Sequence, residues 1–119
     1  MEKLLEEALL YDFYGELLTA RQKEIYEDFV LNDYSLGEIA ADREISRQGV
    51  YDIVKRCRRQ LEGYESRLQL VEKFLHTRDS VRKIQGLARE ILIHEQDRDE
   101  LVRCLQEIEQ LSNEIVETL

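Results

Sequence analysis

Between residues 19 and 46 the chain carries three helix-start signals, so closely spaced that only short helices fit between them. Thr19-Ala20-Arg21-Gln22 is a capping box, in which the threonine hydroxyl takes one orphan backbone N–H and the glutamine side chain reaches back to another. Ser35-Leu36-Gly37-Glu38 repeats the device, and Ser46 stands as a further N-cap before Arg47-Gln48-Gly49-Val50. The first signal opens a helix with Ile25, Tyr26, Phe29 and Val30 on one stripe, closing near Asn32. The second opens a short helix through about Asp42.

From Ser35 to about Arg59 the residues between these caps fit a helix-turn-helix. The motif needs a small residue where its helices cross and branched apolar anchors on the second helix. Counting from Leu36, Ala40 is fifth, Val50 fifteenth and Ile53 eighteenth, the spacing such a motif requires. Leu36 and Ile39 face the core, and Ile45 closes the turn. The ninth position, where glycine is usual because the turn visits positive φ, holds Glu44. Either Glu44 bears that strain, at about 1 kcal/mol, or the turn has another shape.

The flanking segments are also helical in pattern. Residues 3–14 place Leu4, Leu5, Ala8, Leu9, Tyr11 and Phe13 at a mostly helical period, ended or turned by Gly15 and Leu17-Leu18. Beyond Ser46, Val50, Val54, Cys57, Leu61, Tyr64, Leu68, Val71 and Leu75 recur at alternating spacings of four and three. Such an a/d seam predicts one helix of about 28 residues, roughly 40 Å long. A break is expected around His76–Ser80, with Thr77 or Asp79 capping the next helix and Val81, Ile84, Leu87, Ala88, Ile91 and Leu92 as its stripe. The polar segment His94–Asp97 separates a last helix, opened by Asp97-Arg98-Asp99-Glu100 and striped by Leu101, Cys104, Leu105, Ile108, Leu111, Ile115 and Leu119. The expected fold is all-α: a helix-turn-helix domain over residues 1–62, continuing into a C-terminal helical arm over 63–119. Homodimerisation is expected along the seam, through Leu61, Tyr64, Leu68, Val71 and Leu75, together with the amphipathic helices beyond Ser80, unless the arm folds back and hides the seam.

Composition supports this class. The chain has no proline and five glycines, too few reversals for a turn-rich β architecture. Apolar runs are short, such as Ala8-Leu9-Leu10 and Ile91-Leu92-Ile93, so no membrane span is expected, and the acidic Met1-Glu2-Lys3-Leu4-Leu5-Glu6-Glu7 start lacks a signal-peptide layout. Cys57 and Cys104 have no metal or redox spacing and read as packing thiols in a reducing, cytoplasmic compartment. His76 and His94 share no ligand spacing with either cysteine, and no nucleophile has an evident base. Neither an enzyme, a cofactor nor a metal site is expected.

Net charge is −9, unfavourable for a protein that only grips phosphates. Its distribution is more informative. Residues 1–34 carry nine acids and three bases, and residues 63–119 carry twelve acids and eight bases. Between them, Arg43, Arg47, Lys55, Arg56, Arg58 and Arg59 face only Glu44 and Asp52, a local +4. In a major groove the first turns of the second helix meet base edges. Arg47 would then read guanine, Gln48 adenine and Asp52 a cytosine amino group, with Tyr51 beside them. Lys55, Arg56, Arg58 and Arg59 would hold phosphates; the competing reading is a solvated face, with Arg56 and Arg59 paired to Asp52 and Glu62.

The run from Leu18-Thr19-Ala20-Arg21-Gln22 through Ile45-Ser46-Arg47-Gln48-Gly49-Val50 resembles region 4 of bacterial sigma factors, which reads the −35 promoter element. More narrowly, Tyr34-Ser35-Leu36-Gly37-Glu38-Ile39-Ala40, Ile45 through Asp52, and Tyr64-Glu65-Ser66-Arg67-Leu68 resemble the YlxM family. These are small bacterial proteins usually encoded beside the signal recognition particle GTPase. The resemblance covers the first 75 residues well and implies a regulatory or accessory role in protein targeting, without catalysis. It also implies that Arg47, Gln48, Tyr51 and Asp52 occupy recognition-helix positions. Three functions compete: a dimeric regulator binding DNA or RNA, an accessory factor binding the particle's RNA or GTPase, and a scaffold whose motif has lost nucleic-acid binding.

Overall fold

All three start signals are used as the sequence reads. The computed structural model describes residues 3–94 and 97–119. Met1 and Glu2, the Glu95-Gln96 part of the polar segment, and the Leu4 side chain lie outside that description. The fold is all-α, with six α-helices, one 3-10 turn and no strand among the described residues: α1 (Lys3–Tyr14), the turn Gly15–Leu17, α2 (Ala20–Val30), α3 (Leu36–Arg43), α4 (Arg47–Leu68), α5 (Leu70–Ile93) and α6 (Arg98–Thr118). No helix among the described residues is long and apolar enough to cross a membrane.

The caps have the expected chemistry. Thr19 Oγ1 accepts from Gln22 N at 3.2 Å, while Gln22 Oε1 accepts from Thr19 N at 3.0 Å. Ser35 and Glu38 exchange the same pair of bonds, and Ser46 Oγ accepts from Gly49 N at 2.9 Å. Asp97 Oδ1 accepts from Glu100 N at 2.8 Å and opens α6. Each bond satisfies an N–H that the first helical turn leaves without an internal partner.

The chain divides into two units, Met1–Val71 and Glu72–Leu119. In the first, α4 is the central element, packed by α1, α2 and α3. Its Val50, Val54, Cys57 and Leu61 are buried, with Tyr14 from α1, Ile25 and Tyr26 from α2 and Ile39 from α3. The first half of the a/d seam is thus intrachain core. Ala40 is buried at the α3–α4 crossing; Leu36, Ile45, Ile53 and Phe29 are half-buried around it. Tyr11 stacks on Tyr26 with ring centroids 5.9 Å apart and donates its hydroxyl to Glu27. Gly15 is required here: a Cβ would stand 2.9 Å from the Tyr11 ring, closer than carbon atoms approach.

Two expectations about the second half of the chain are corrected. The long helix does not run to Leu75; it ends at Leu68, and Gln69 turns to φ 55°, ψ 31°, the left-handed region. The break expected at His76–Ser80 does not exist, because α5 runs unbroken through it from Leu70 to Ile93. The seam is therefore split between two helices. Leu61 and Val71 are buried, Tyr64 packs its ring 6.0 Å from that of Tyr14, Leu68 is exposed, and Leu75 is half-buried on α5. The five residues expected to form one dimer seam do not share one face of one helix. The first unit likewise extends to Val71, past the boundary expected at Glu62.

Residues distant in sequence impose the break. The Tyr14 hydroxyl donates to Glu65 Oε1 at 2.5 Å and accepts from Leu70 N at 3.1 Å. Glu65 Oε1 also accepts from Val71 N at 2.9 Å. The first two N–H groups of α5 are thus capped by α1 and α4 rather than by a Ser, Thr, Asp or Asn before the helix.

Candidate nucleic-acid interface

The turn between α3 and α4 fixes how α4 presents itself. Glu44 sits at φ 57°, ψ 41°, so of the two alternatives it takes the strained one, and the motif keeps its ordinary turn. The backbone is paid no steric penalty only when glycine occupies such a site; here Glu44 N and Ile45 N both return to the Ala40 carbonyl and hold the turn. Arg43 adds a clamp, its Nη1 donating to Glu24 Oε2 at 2.8 Å and its Nη2 to Asp28 Oδ2 at 3.2 Å. A residue counted in the basic segment is therefore spent on joining α3 to α2.

Arg47, Gln48, Tyr51 and Asp52 are all exposed on the first turns of α4. Gln48 Nε2 donates to Asp52 Oδ1 at 3.0 Å, one helical turn on. One amide N–H and the carbonyl oxygen of Gln48 remain for an outside partner. Tyr51 forms a wall of an open depression lined also by Leu36, Arg47 and Gln48, and Lys55 Nζ lies 5.9 Å from the centroid of its ring. That distance suits a cation–π contact and holds Lys55 beside the first two turns.

The phosphate-holding candidates separate into two groups. Lys55, Arg56 and Arg59 are exposed and, with Arg47, make no ion pair among the described residues. The alternative pairing of Arg56 and Arg59 with Asp52 and Glu62 is not formed. Arg58 stands apart. Its guanidinium is turned toward α1 and pairs with the buried Glu7, because its position on α4 lies beside the core line rather than opposite it. Next to this pair, burial and the Glu7 charge push the Tyr26 hydroxyl up to about 12, partly opposed by Arg58.

One cation was missed by sequence reasoning. Arg21, in the first turn of α2, lines a depression with Thr19, Gln22, Ile53 and Arg56. The capping box at Thr19 fixes its place in the helix, but only the packing of α2 on α4 brings it next to Arg56. Gln22 ties the two helices there, Nε2 donating to Gln60 Oε1 at 3.1 Å. The exposed cations thus run from Arg47 along α4 to Arg59, with Arg21 at one edge. Gln48 and Arg59, eleven residues apart, span roughly 16 Å of helix.

These elements define a helix-turn-helix protein with a capped, basic second helix and a buried inner face. Comparison with known proteins gives the same class. Residues 1–101 match the family described as helix-turn-helix protein, YlxM / p13 like, designated UPF0122. A UPF0122 protein of Acetivibrio thermocellus is 46% identical over 118 residues, covering 99% of this chain and 100% of its own length. The UPF0122 protein YlxM of Bacillus subtilis is 44% identical over 88 residues, 74% of this chain and 80% of its own. One from Caldanaerobacter subterraneus reaches 56% over 77 residues, 65% of this chain and 66% of its own. The chain belongs to the UPF0122, YlxM / p13-like family.

Proposed function

We propose that this protein is a nucleic-acid-binding regulator of the helix-turn-helix type, working in the cytoplasm in connection with the signal recognition particle pathway. The observation that carries the reading is the outer face of α4. There Arg47, Lys55, Arg56 and Arg59 are exposed and unpaired among the described residues, while two other cations of the same segment, Arg43 and Arg58, pair with acids of α2 and α1. A solvated face has no need to segregate its free cations from its paired ones. Arg47 and Gln48 would meet base edges, with Asp52 orienting the Gln48 amide; Lys55, Arg56, Arg59 and Arg21 would meet phosphates. The reading assigns the protein no catalytic role. The link to protein targeting rests on the gene neighbourhood usual for the family.

The test is a gel-shift titration at low salt against DNA from the protein's own operon, alongside the particle's RNA. Replacing Arg47→Ala and Gln48→Ala together is expected to abolish preference for one sequence. Replacing Arg56→Ala and Arg59→Ala is expected to weaken binding to all sequences and to reduce the salt slope by about two. DNA binding untouched by the first pair would overturn the recognition-helix assignment. Capture of the particle's RNA or GTPase without any DNA binding would transfer the function to an accessory factor of the targeting machinery.

A further inference from the structure

Along the outer face of α4 one side chain is out of keeping with the rest. Between Arg47 and Gln60 every other exposed residue is polar or charged, yet Tyr51 leaves 45% of its surface in solvent. At about 100° per residue, Tyr51 falls in angle between Arg47 and Gln48, one turn further on. It therefore stands on the face that the first turns present, off the core line of Val50, Val54, Cys57 and Leu61. A lone exposed ring would need no explanation. Here it has an apolar counterpart from another helix.

Leu36, the first residue of α3, lines the depression beside Tyr51 together with Arg47 and Gln48. Leu36 and Tyr51 also line a second depression, with Phe29, Val54, Lys55 and Arg58. Apolar surface thus continues from the core between α2, α3 and α4 out to the first turns of α4, where it ends beside a guanidinium and a carboxamide. A phosphate contact asks only for donors and makes no use of an apolar wall. The combination suits an apolar group carried by a hydrogen-bonding polyanion. Among the base edges of the major groove one such group exists, the 5-methyl of thymine; the others are donors and acceptors. Gln48 and Tyr51 are three residues apart, roughly 4.5 Å along the helix, comparable to one base step of about 3.4 Å.

We propose that the depression between Leu36 and Tyr51 receives a thymine methyl group, so that the ligand of α4 is duplex DNA with thymine in its site. The proposal rests on the reading of α4 as a recognition helix. Gln48 takes an adenine edge, and the thymine paired with it or next to it sets its methyl against Tyr51 and Leu36. Tyr51 then determines specificity through its ring, and its hydroxyl is not needed. Uracil has no such methyl, and the deep, narrow major groove of an RNA helix does not admit side chains. RNA leaves the depression unfilled.

Two versions of duplex DNA from the protein's own operon, identical except for thymidine or deoxyuridine, are titrated with the full chain in a gel shift. Wild type is expected to bind the deoxyuridine form more weakly by roughly fourfold or more, the change when one methyl group is no longer buried. Tyr51→Ala is expected to bind both forms equally, and Tyr51→Phe to discriminate as wild type does. If Tyr51→Ala loses its helical circular-dichroism signal, Tyr51→Gln takes its place with the same expectation. Equal binding of both forms by wild type overturns the methyl contact and leaves the recognition-helix reading standing. Discrimination that survives in Tyr51→Ala, or that is lost in Tyr51→Phe, also overturns it. Absence of DNA binding, with or without capture of the particle's RNA, overturns both.

Discussion

Among the described residues three other than glycine, Asp33, Glu44 and Gln69, hold positive φ, and two of them set the course of α4. Glu44 ends α3 just before it, and Gln69 ends α4 itself. An L-residue in this region is strained by about 1–2 kcal/mol because its Cβ crowds the following carbonyl. Glu44 is exposed and makes no side-chain bond that offsets the strain among the described residues. Glu44→Gly is therefore expected to raise stability by about 0.5–1 kcal/mol, the relief being reduced by the greater freedom of glycine in the unfolded chain. A urea melt checks it through a higher midpoint at unchanged slope.

At the scale of elements, the joint between α4 and α5 depends on one hydroxyl. Tyr14 both donates to Glu65 and receives the Leu70 N–H, and the Tyr14 ring lies against Tyr64. Tyr14→Phe keeps the ring and removes both bonds. It is expected to cost about 1–2 kcal/mol and to speed amide hydrogen exchange at Leu70 and Val71 far more than in α3. Uniformly faster exchange would mean a general loss of packing instead. This joint also marks where the sequence stops being readable. Ser35 and Ser46 cap from within three residues, so α3, the turn and the start of α4 could be placed from local chemistry. The cap of α5 comes from residues 14 and 65, no glycine or proline marks Gln69, and the 4-3 seam passes straight through it. Local pattern could not reveal a break made by a distant side chain. The same limit applies in the site: Arg47, Gln48, Tyr51 and Asp52 were placed by helical period, but losing Arg58 to Glu7 required knowing where α1 packs.

For the whole molecule, buried acids that titrate late determine the alkaline limit. Burial pushes the Cys57 thiol from its ordinary 9.0 up to about 11, and burial with nearby carboxylates raises Tyr11, Tyr14 and Tyr26 as well. Between the ordinary and the raised value the unfolded chain has released a proton that the folded one retains. Stability is then full below about pH 9 and falls as pH rises through the folded values. Thermal melts from pH 7 to 11 should show this decline, and Cys57→Ala should flatten its earlier part while lowering the melting temperature at neutral pH.

The Tyr14 bond also bears on the order in which the molecule assembles. Arg43 reaches Glu24 and Asp28 across 19 and 15 residues, whereas Tyr14 reaches Glu65 and Leu70 across 51 and 56. Closing the longer loop costs more chain entropy and waits for the shorter ones. The Arg43 clamp is therefore expected to form before the Tyr14 bonds. Until those bonds form, only Glu65 supports the bend, and the unbroken 4-3 repeat favours a single straight helix through that point. The bend at Gln69 is a late event in folding, set by a side chain of α1.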